Sequence, residues 1–142
     1  MRLTEVLRSK GDGVVTVPPE TDVTTLLSVL AEHGIGAAVV SGDGRRVEGI
    51  VSERDVVRAV AARGPDVLQD AVSTICTTEV HTCRRDDQVD DVMRVMTERR
   101  IRHVPVVEKD ALVGIVSIGD VVKRRLSELE DERRALSQYI SG

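Results

Sequence analysis

The sequence contains no tryptophan and no phenylalanine, and its single tyrosine, Tyr139, stands near the C-terminus. It therefore lacks the aromatic platform on which the bases of single-stranded nucleic acid stack. A base bound by this chain must be held by aliphatic side chains. The net charge of −4 also argues against general nucleic-acid binding, which needs a basic surface to neutralise phosphates. We therefore expect no nucleic-acid partner.

Long apolar runs are missing as well. Runs such as Ala37–Val40 and Val104–Val107 are far too short to span a bilayer, and Met1–Lys10 lacks the apolar core of a secretory signal. We expect a cytoplasmic protein with no membrane partner. The only cysteines, Cys76 and Cys83, have no zinc-ligand spacing, so no metal site is predicted. They are interpreted as small hydrophobic residues, and a disulfide between them is the less favoured alternative.

An internal repeat organises the chain. The segment Gly49–Arg58, GIVSERDVVR, recurs as Gly114–Lys123, GIVSIGDVVK. Upstream of both segments, apolar residues recur with the spacing of one helical face. The matching positions are Val23, Leu26, Leu27, Leu30 and Ile35 in the first copy, and Val89, Val92, Met93, Met96 and Ile101 in the second. The chain is therefore predicted to contain two similar structural units.

Each copy is predicted to form a strand, a helix, two strands joined by a turn, and a second helix. Short apolar runs between the helical pattern and the repeated segment suit buried strands. A capping side chain is expected at the start of the first helix of each copy. Thr21 or Asp22 would supply it in the first copy, and Asp86 or Asp87 in the second.

Glycine and proline mark the ends of these elements. Gly34 stands where a C-terminal glycine would end the first helix of the first copy, and Arg100 holds that place in the second, so a different helix end is expected there. Gly64-Pro65 breaks the second helix and begins a linker. The predicted division is residues 1–63 for repeat one, 64–70 for the linker, 71–125 for repeat two, and 126–142 for a C-terminal helical extension.

Nothing breaks a helix between Gly119 and about Ile140. An apolar stripe runs along this segment at helical spacing, and Arg133 interrupts it. The stripe consists of Val122, Leu126, Leu129, Leu136 and Ile140. Two interpretations stay open: a helix lying on its own module, or a partner helix in a homodimer.

Each copy places a serine and an aspartate three residues apart where a strand turns into a helix: Ser52 and Asp55, then Ser117 and Asp120. Free backbone N–H groups at a helix N-terminus favour an anion, and the serine hydroxyl can donate to a phosphate. The aspartate can accept hydrogen bonds from vicinal hydroxyls such as those of a ribose. A plain helix-capping role is the structural alternative.

The repeated strand followed by Gly-hydrophobic-x-Ser-x-x-Asp, with the string Ile101–Val107, IRHVPVV, in the second copy, resembles the CBS domain pair, or Bateman module. The similarity covers about residues 1–125. It implies an α/β (α+β) fold of two tandem β-α-β-β-α repeats packed with pseudo-two-fold symmetry, followed here by a long C-terminal helix. It also implies an adenosine-containing ligand between the repeats, and pairing into disc-like dimers.

The resemblance places phosphate-contacting side chains at Arg102 and His103, whereas Gly36 and Ala37 hold these positions in the first copy. The two clefts are therefore expected to be unequal, with the phosphate-rich one built around copy two. Arg54 could compensate in copy one.

Lys10 is a further possible phosphate contact, and His33 and His81 are interpreted as ordinary surface or strand residues. Adenine is expected to lie against aliphatic residues, among them Ile50 and Ile115. The candidate ligand-binding residues are Lys10, Ile35, Gly36, Ala37, Ser52, Arg54, Asp55, Arg102, His103, Val104, Pro105, Ser117, Ile118 and Asp120.

The sequence favours a non-catalytic regulatory module. Such a module is expected to bind AMP, ADP, ATP or NAD(H) without a required cofactor, and to signal to an effector protein in trans or through rearrangement of a homodimer. An enzyme is disfavoured because no nucleophile elbow, phosphate-binding loop or metal-ligand spacing occurs. The remaining alternative is an assembly module that acts through its C-terminal helix without an obligatory ligand.

Overall fold

The computed structural model describes residues 1–11 and 13–141, which form five α-helices and five strands. The helices are α1 (Leu3–Lys10), α2 (Val23–His33), α3 (Glu53–Arg63), α4 (Val89–Arg99) and α5 (Ile118–Ser141). The strands are β1 (Thr16–Val17), β2 (Ala37–Val40), β3 (Gly49–Ser52), β4 (His103–Glu108) and β5 (Ala111–Ser117). Two 3₁₀ helices, Pro65–Gln69 and Val72–Thr74, lie between α3 and α4. Gly142, at the end of the predicted extension, lies outside the described residues, as does Asp12.

The strands form two small sheets that repeat one pattern. In the first sheet β1 is parallel to β2, and β2 is antiparallel to β3. In the second sheet β4 and β5 are antiparallel, and the opening strand is reduced to a parallel bridge between Cys83 and Val106. Cys83 and Cys76 are free thiols. The predicted α/β fold of two tandem repeats with a long C-terminal helix is confirmed. Helix α1 and the two 3₁₀ helices were not predicted, and the opening strand of the second repeat is reduced to this bridge.

The first helices of the two repeats begin differently. Asp22 caps α2, and its carboxylate accepts a hydrogen bond from the Thr25 N–H at 2.7 Å. Gln88 precedes α4, and its side chain makes no capping hydrogen bond. The expected cap at Asp86 or Asp87 is wrong, because the Asp87 carboxylate instead accepts from the backbone N–H three residues earlier, at 2.8 Å. That bond tightens the turn before the helix rather than the helix itself.

The same two helices end alike. Gly34 adopts a left-handed conformation after α2, with φ 63° and ψ 38°. Arg100 adopts the same conformation after α4, with φ 55° and ψ 40°, and its N–H donates to the Met96 carbonyl. The expected difference in termination is therefore wrong: arginine takes up the backbone angles that glycine adopts without steric cost. The break predicted at Gly64 is confirmed, since α3 ends one residue before it.

The hydrophobic core of each repeat is completed by the chain segment that leads into the other repeat. Leu3 and Val6 of α1 are buried in the core of the second repeat, beside Val92 and Met96 of α4. Val72, in the 3₁₀ helix Val72–Thr74 at the predicted start of repeat two, is buried in the core of the first repeat. Packing thus crosses the division predicted from the sequence, and the residue boundaries of the two repeats stay a prediction.

The C-terminal helix leaves its module after the first turns. Val121 is buried in the second core, but the apolar stripe that follows it is exposed. The exposed fractions are 43% for Val122, 57% for Leu126, 50% for Leu129, 63% for Leu136 and 81% for Ile140. The chain itself therefore does not cover the stripe.

No helix within residues 1–11 and 13–141 has the length and apolar character that crossing a membrane requires.

Candidate functional site

Ser52 and Asp55 form a reciprocal cap at the start of α3. The Asp55 N–H donates to the Ser52 hydroxyl oxygen at 3.2 Å, and the Ser52 N–H donates to Asp55 Oδ2 at 2.8 Å. The Ser52 hydroxyl also donates to Asp55 Oδ2, at 3.1 Å. Ser52 and Asp55 therefore do form a helix cap, which is the structural alternative, but the cap uses only one carboxylate oxygen of Asp55. Oδ1 remains available to accept hydrogen bonds.

The equivalent pair, Ser117 and Asp120, makes the same two backbone bonds at the start of α5, at 2.9 Å and 3.1 Å. In this copy the Asp120 carboxylate also has a cationic partner. Lys10, the last residue of α1, places its Nζ 2.7 Å from Asp120 Oδ2 and 2.7 Å from the Ile115 carbonyl oxygen. Burial raises the pKa of Asp120, but the hydrogen bonds from Lys10 and Ser117 outweigh it and hold that pKa below its ordinary value. Asp120 is thus held as a carboxylate by the chain's own lysine.

A cavity of about 790 Å³ lies between the two repeats, within the size range of small-molecule sites. The N-termini of both α3 and α5 contribute to its wall, through Ser52–Asp55 and Ser117–Gly119. The remaining lining residues are Gly36, Ala37, Ile50, Val57, Arg58, Thr77, Glu79, Val80, His81 and Arg100–His103. Residues from both copies therefore face one space.

Nine of the fourteen candidate residues from the sequence line this cavity. They are Gly36, Ala37, Ser52, Arg54, Asp55, Arg102, His103, Ser117 and Ile118. The cavity thus combines the Ser52–Asp55 pair of the first copy with the Arg102–His103 pair of the second. The sequence had assigned these two pairs to different clefts, and the fold brings them together.

The other five candidates do not line the cavity. Lys10 and Asp120 pair with each other beside it. Val104 and Pro105 are both buried along β4, and Val104 belongs to the core of the second repeat. Ile35 packs against the core of the first repeat. Their roles in binding stay a prediction.

His103 stands at the junction of the two repeats. A Cβ added at Gly36 would lie 3.7 Å from His103 Cε1 and 4.0 Å from Glu53 Oε2, so the imidazole lies directly over this glycine. Burial lowers the pKa of His103 below its ordinary value, and the charges of Lys10 and Arg102 act in the same direction. Asp120 and Glu53 oppose that effect without cancelling it. The unliganded protein therefore presents a neutral imidazole near pH 7.

Four arginines line the same cavity: Arg54 and Arg58 on α3, and Arg100 and Arg102 before β4. Within residues 1–11 and 13–141, none of the four has an acidic group within 4.0 Å of its guanidinium. Unpaired guanidinium groups around a cavity suit an anion with several oxygens, because each offers a planar fork of donors.

Some residues that line the cavity were not predicted from the sequence. The segment Thr77–His81 lines the cavity because Thr77 pairs with Ile50 through two backbone hydrogen bonds of 2.9 Å. His81, interpreted from sequence as an ordinary surface or strand residue, therefore faces the cavity. Arg58 repeats Arg54 one helical turn later, which is a spacing signal that could have identified it. The sequence feature that distinguishes Arg100 is that it stands where the first repeat has a glycine, Gly34.

Comparison with known proteins gives the same architecture. The family model of the CBS domain matches residues 6–62 and 72–127. The CBS domain-containing protein CBSX3, mitochondrial, of Arabidopsis thaliana is 33% identical over 99% of this chain and 72% of its own length. The crystal structure of the CBS-domain containing protein ATU1752 from Agrobacterium tumefaciens superimposes with a TM-score of 0.84 at 45% identity, covering 88% of this chain and 99% of that one.

A second solved structure is the CBS domain protein PAE2072 of Pyrobaculum aerophilum, complexed with AMP. It has a TM-score of 0.75 and is 33% identical, with 84% of this chain and 89% of that chain covered. Two repeats of mixed helix and strand that meet at a shared cavity define a tandem-repeat module. This chain belongs to the CBS domain family, as a tandem pair of CBS domains.

Proposed function

We propose that this CBS pair is a non-catalytic sensor that binds an adenine nucleotide, AMP, ADP, ATP or NAD(H), in the cavity between its repeats. The observation that carries the proposal is the meeting of Asp55 from one repeat with Arg102 and His103 from the other around one space. A carboxylate suits ribose hydroxyls, and the cations suit phosphate. The AMP complex of the Pyrobaculum aerophilum relative supports the same class of ligand.

The ribose is assigned to Asp55. Its Oδ2 is used by the helix cap, while Oδ1 can accept from one or both vicinal hydroxyls. The Ser52 hydroxyl already donates within the cap, so the phosphate is assigned to the arginines and His103 rather than to this serine. No catalytic group is needed for this function.

Adenine is assigned to the aliphatic part of the wall. Val57 is 67% exposed although it is a large hydrophobic side chain, and with Ala37, Ile50 and Ile118 it lines the cavity. A ring placed against these residues would remove apolar surface from water, which is favourable without any aromatic partner.

Binding would couple the repeats to each other. A ligand that contacts both repeats favours the arrangement in which its two sets of contacts are made together, so it shifts a conformational equilibrium. We infer that an effector protein in trans, or a second copy of the chain, responds to this shift in the cytoplasm.

Native mass spectrometry of the purified protein, followed by isothermal titration with AMP, ADP, ATP, NAD⁺ and NADH, tests the proposal. Saturable binding of at least one nucleotide, weakened in Asp55→Asn, is expected. Absence of heat with all five, and of any carried-over adenosyl compound in the mass spectrum, would overturn the proposal.

Homodimerisation through α5 is the second candidate function, and the exposed apolar stripe favours it. Its residues recur on one face over about five turns, and the single chain leaves them exposed by 43–81%. A second copy of the same helix would cover the stripe with a matching surface. We propose that the chain is a homodimer and that α5 forms part of its interface.

Sedimentation of Leu126→Glu, with Gln138→Glu on the opposite face of α5 as the matched control, tests the interface. The first variant should be monomeric at concentrations at which the second stays dimeric. If both variants sediment like the unmodified chain, α5 is not part of the interface.

A further inference from the structure

Arg100 combines two features that are separate elsewhere in the chain. It lines the cavity between the repeats, and it holds a left-handed backbone conformation with φ 55°. Such a conformation brings Cβ too close to the backbone in any residue except glycine, and asparagine tolerates it best among the others. A long cationic side chain is therefore an unfavourable choice for this position on backbone grounds alone.

The first repeat shows that the helix end itself does not call for arginine. Gly34 ends α2 with nearly the same angles, so glycine would close the equivalent turn of α4 without strain. Stabilisation of the helix dipole is not a sufficient reason either, because Arg99 already supplies a cation in the last turn of α4. Neither the end of α4 nor its dipole therefore explains why position 100 is an arginine.

The cavity provides a use. Asp55 lies in the first turn of α3 and Arg58 one turn further along, roughly 5 Å away along the helix axis. From the second repeat, His103 begins β4, and Arg102 and Arg100 precede it. Besides the groups assigned to the ribose and the first phosphate, the cavity wall therefore carries two further cations, Arg58 and Arg100. Both are exposed side chains on the cavity wall.

We propose that Arg100 is a specificity-determining residue that binds the outer phosphates of a nucleoside di- or triphosphate, so that this CBS pair discriminates by phosphate number. A strained backbone conformation is expected at a binding site when the bound ligand contacts the side chain that this conformation positions. The inference rests on the proposed nucleotide function and adds the ligand class, a nucleotide with more than one phosphate.

Replacement of Arg100 by glycine separates the backbone from the side chain. In Arg100→Gly the helix keeps its termination and loses the strain, so the thermal midpoint should stay the same or rise. Affinity for ATP should fall on the order of tenfold, as expected for loss of a charge-assisted contact to phosphate. Affinity for AMP should change less than about twofold, because the first phosphate keeps Arg102 and His103.

Lys109→Gly is the matched control. Lys109 is also a cation at positive φ, 49°, but it lies in the turn between β4 and β5 and does not line the cavity. This variant should bind ATP and AMP as the unmodified chain does. A loss of ATP affinity as large as that of Arg100→Gly would show a general charge effect and would overturn the assignment.

Three further results would overturn the assignment: an equal loss for AMP and ATP, no loss for either, or a lowered thermal midpoint that accompanies the loss. Binding by the unmodified chain distinguishes the two proposals. If it binds nucleotides and Arg100→Gly binds them equally well, only the role of Arg100 fails. If it binds none, the proposed function fails as well.

Discussion

The two repeats share a helix cap and use its aspartate differently. Asp55 lines the cavity and uses only one carboxylate oxygen in the cap, whereas Asp120 is bound by Lys10 at 2.7 Å. The position that corresponds to Lys10 in the repeat pattern is Cys76, whose thiol carries no charge to offer Asp55. Burial raises the pKa of Cys76, and the nearby Asp55 and Glu48 carboxylates add to that effect. Among the described residues, the same motif thus lines the cavity without an internal cation in one copy and forms an internal ion pair in the other.

The comparison shows that a repeated motif need not carry a repeated function. The serine and aspartate shared by GIVSERD and GIVSIGD form the same helix cap in both copies. What each carboxylate does next depends on the segment that packs beside it, and these two segments, α1 and the linker, differ.

The largest expected difference is in ligand binding by Asp55→Asn and Asp120→Asn. Asparagine keeps one carbonyl oxygen for the cap but loses the charge that strengthens hydrogen bonds from a ribose. Loss of about 2 kcal/mol, or about 30-fold in Kd, is expected for Asp55→Asn. Isothermal titration measures it.

Asp120→Asn is the matched partner, and its nucleotide affinity at the cavity should change less than about threefold. A loss as large as that of Asp55→Asn would mean that Asp120 also contacts the ligand, as the sequence alone suggested.

The repeated glycines Gly49 and Gly114 should differ in stability when replaced by alanine. A Cβ at Gly49 would lie 2.9 Å from the Thr77 carbonyl oxygen and 2.9 Å from Cys76 Sγ. A Cβ at Gly114 would lie 2.8 Å from Leu7 Cδ2, the end of a flexible side chain. Backbone cannot move aside as readily, so Gly49→Ala should cost about 2–3 kcal/mol and Gly114→Ala about 1 kcal/mol. Denaturant unfolding compares them, and equal costs would contradict this account.

Replacing Lys10 by methionine should mainly affect stability. The variant loses the ion pair with Asp120 and the bond to the Ile115 carbonyl, which together are expected to contribute about 1 kcal/mol because the pair is partly exposed. The thermal midpoint should fall by about 3 °C, while nucleotide affinity changes less than about threefold because Lys10 does not line the cavity.

Arg94→Met, which breaks the exposed pair with Asp91, is the control and should leave the midpoint within about 1 °C. A large loss of affinity in Lys10→Met would restore this lysine as a phosphate contact.

The smallest expected effect is the pH dependence of His103. The folded state lowers the pKa of this imidazole below its ordinary value of 6.5, so the unfolded chain takes up a proton more readily. Stability of the unliganded protein is therefore fully present above pH 6.5 and decreases as the pH falls through the lowered pKa. A phosphate beside the ring favours the protonated form, so nucleotide affinity should rise a few-fold between about pH 7.5 and 5.5.

His103→Asn should lose most of both dependences, as followed by titration and thermal unfolding across this pH range. Unchanged pH profiles in the variant would place their origin in another group.

Much that depends on local pattern could be predicted from the sequence. The repeat, the helical faces, a cap at Thr21 or Asp22 and the helix end at Gly34 follow from spacing and residue type. Capping by the two Ser–Asp pairs was one of the two predicted roles for them. Wrong predictions arose where alternatives of similar local chemistry compete. Asp87 forms a turn before α4 instead of capping it, and Arg100 adopts an angle that its residue type disfavours.

The composition of the cavity could not be derived from the sequence, because it depends on how the two repeats face each other. Asp55 and His103 are far apart in the chain, and nothing in their local patterns states that they share a space. The Lys10–Asp120 pair depends on α1 lying against the second repeat. Nothing in the sequence of α1 states which repeat it covers.

The placement of α1 and the linker on opposite repeats has a consequence for how the protein folds. The second core is closed by α1 from the opposite end of the chain, and the first core by the 3₁₀ segment that leads into the second repeat, so neither repeat completes its core from its own residues alone. Folding should therefore be a single cooperative event with many distant contacts, and a slow one for a chain of this size. A single repeat expressed with its leading segment would have no second core on which to place it. It could bury that segment only by exchanging it with another copy of itself.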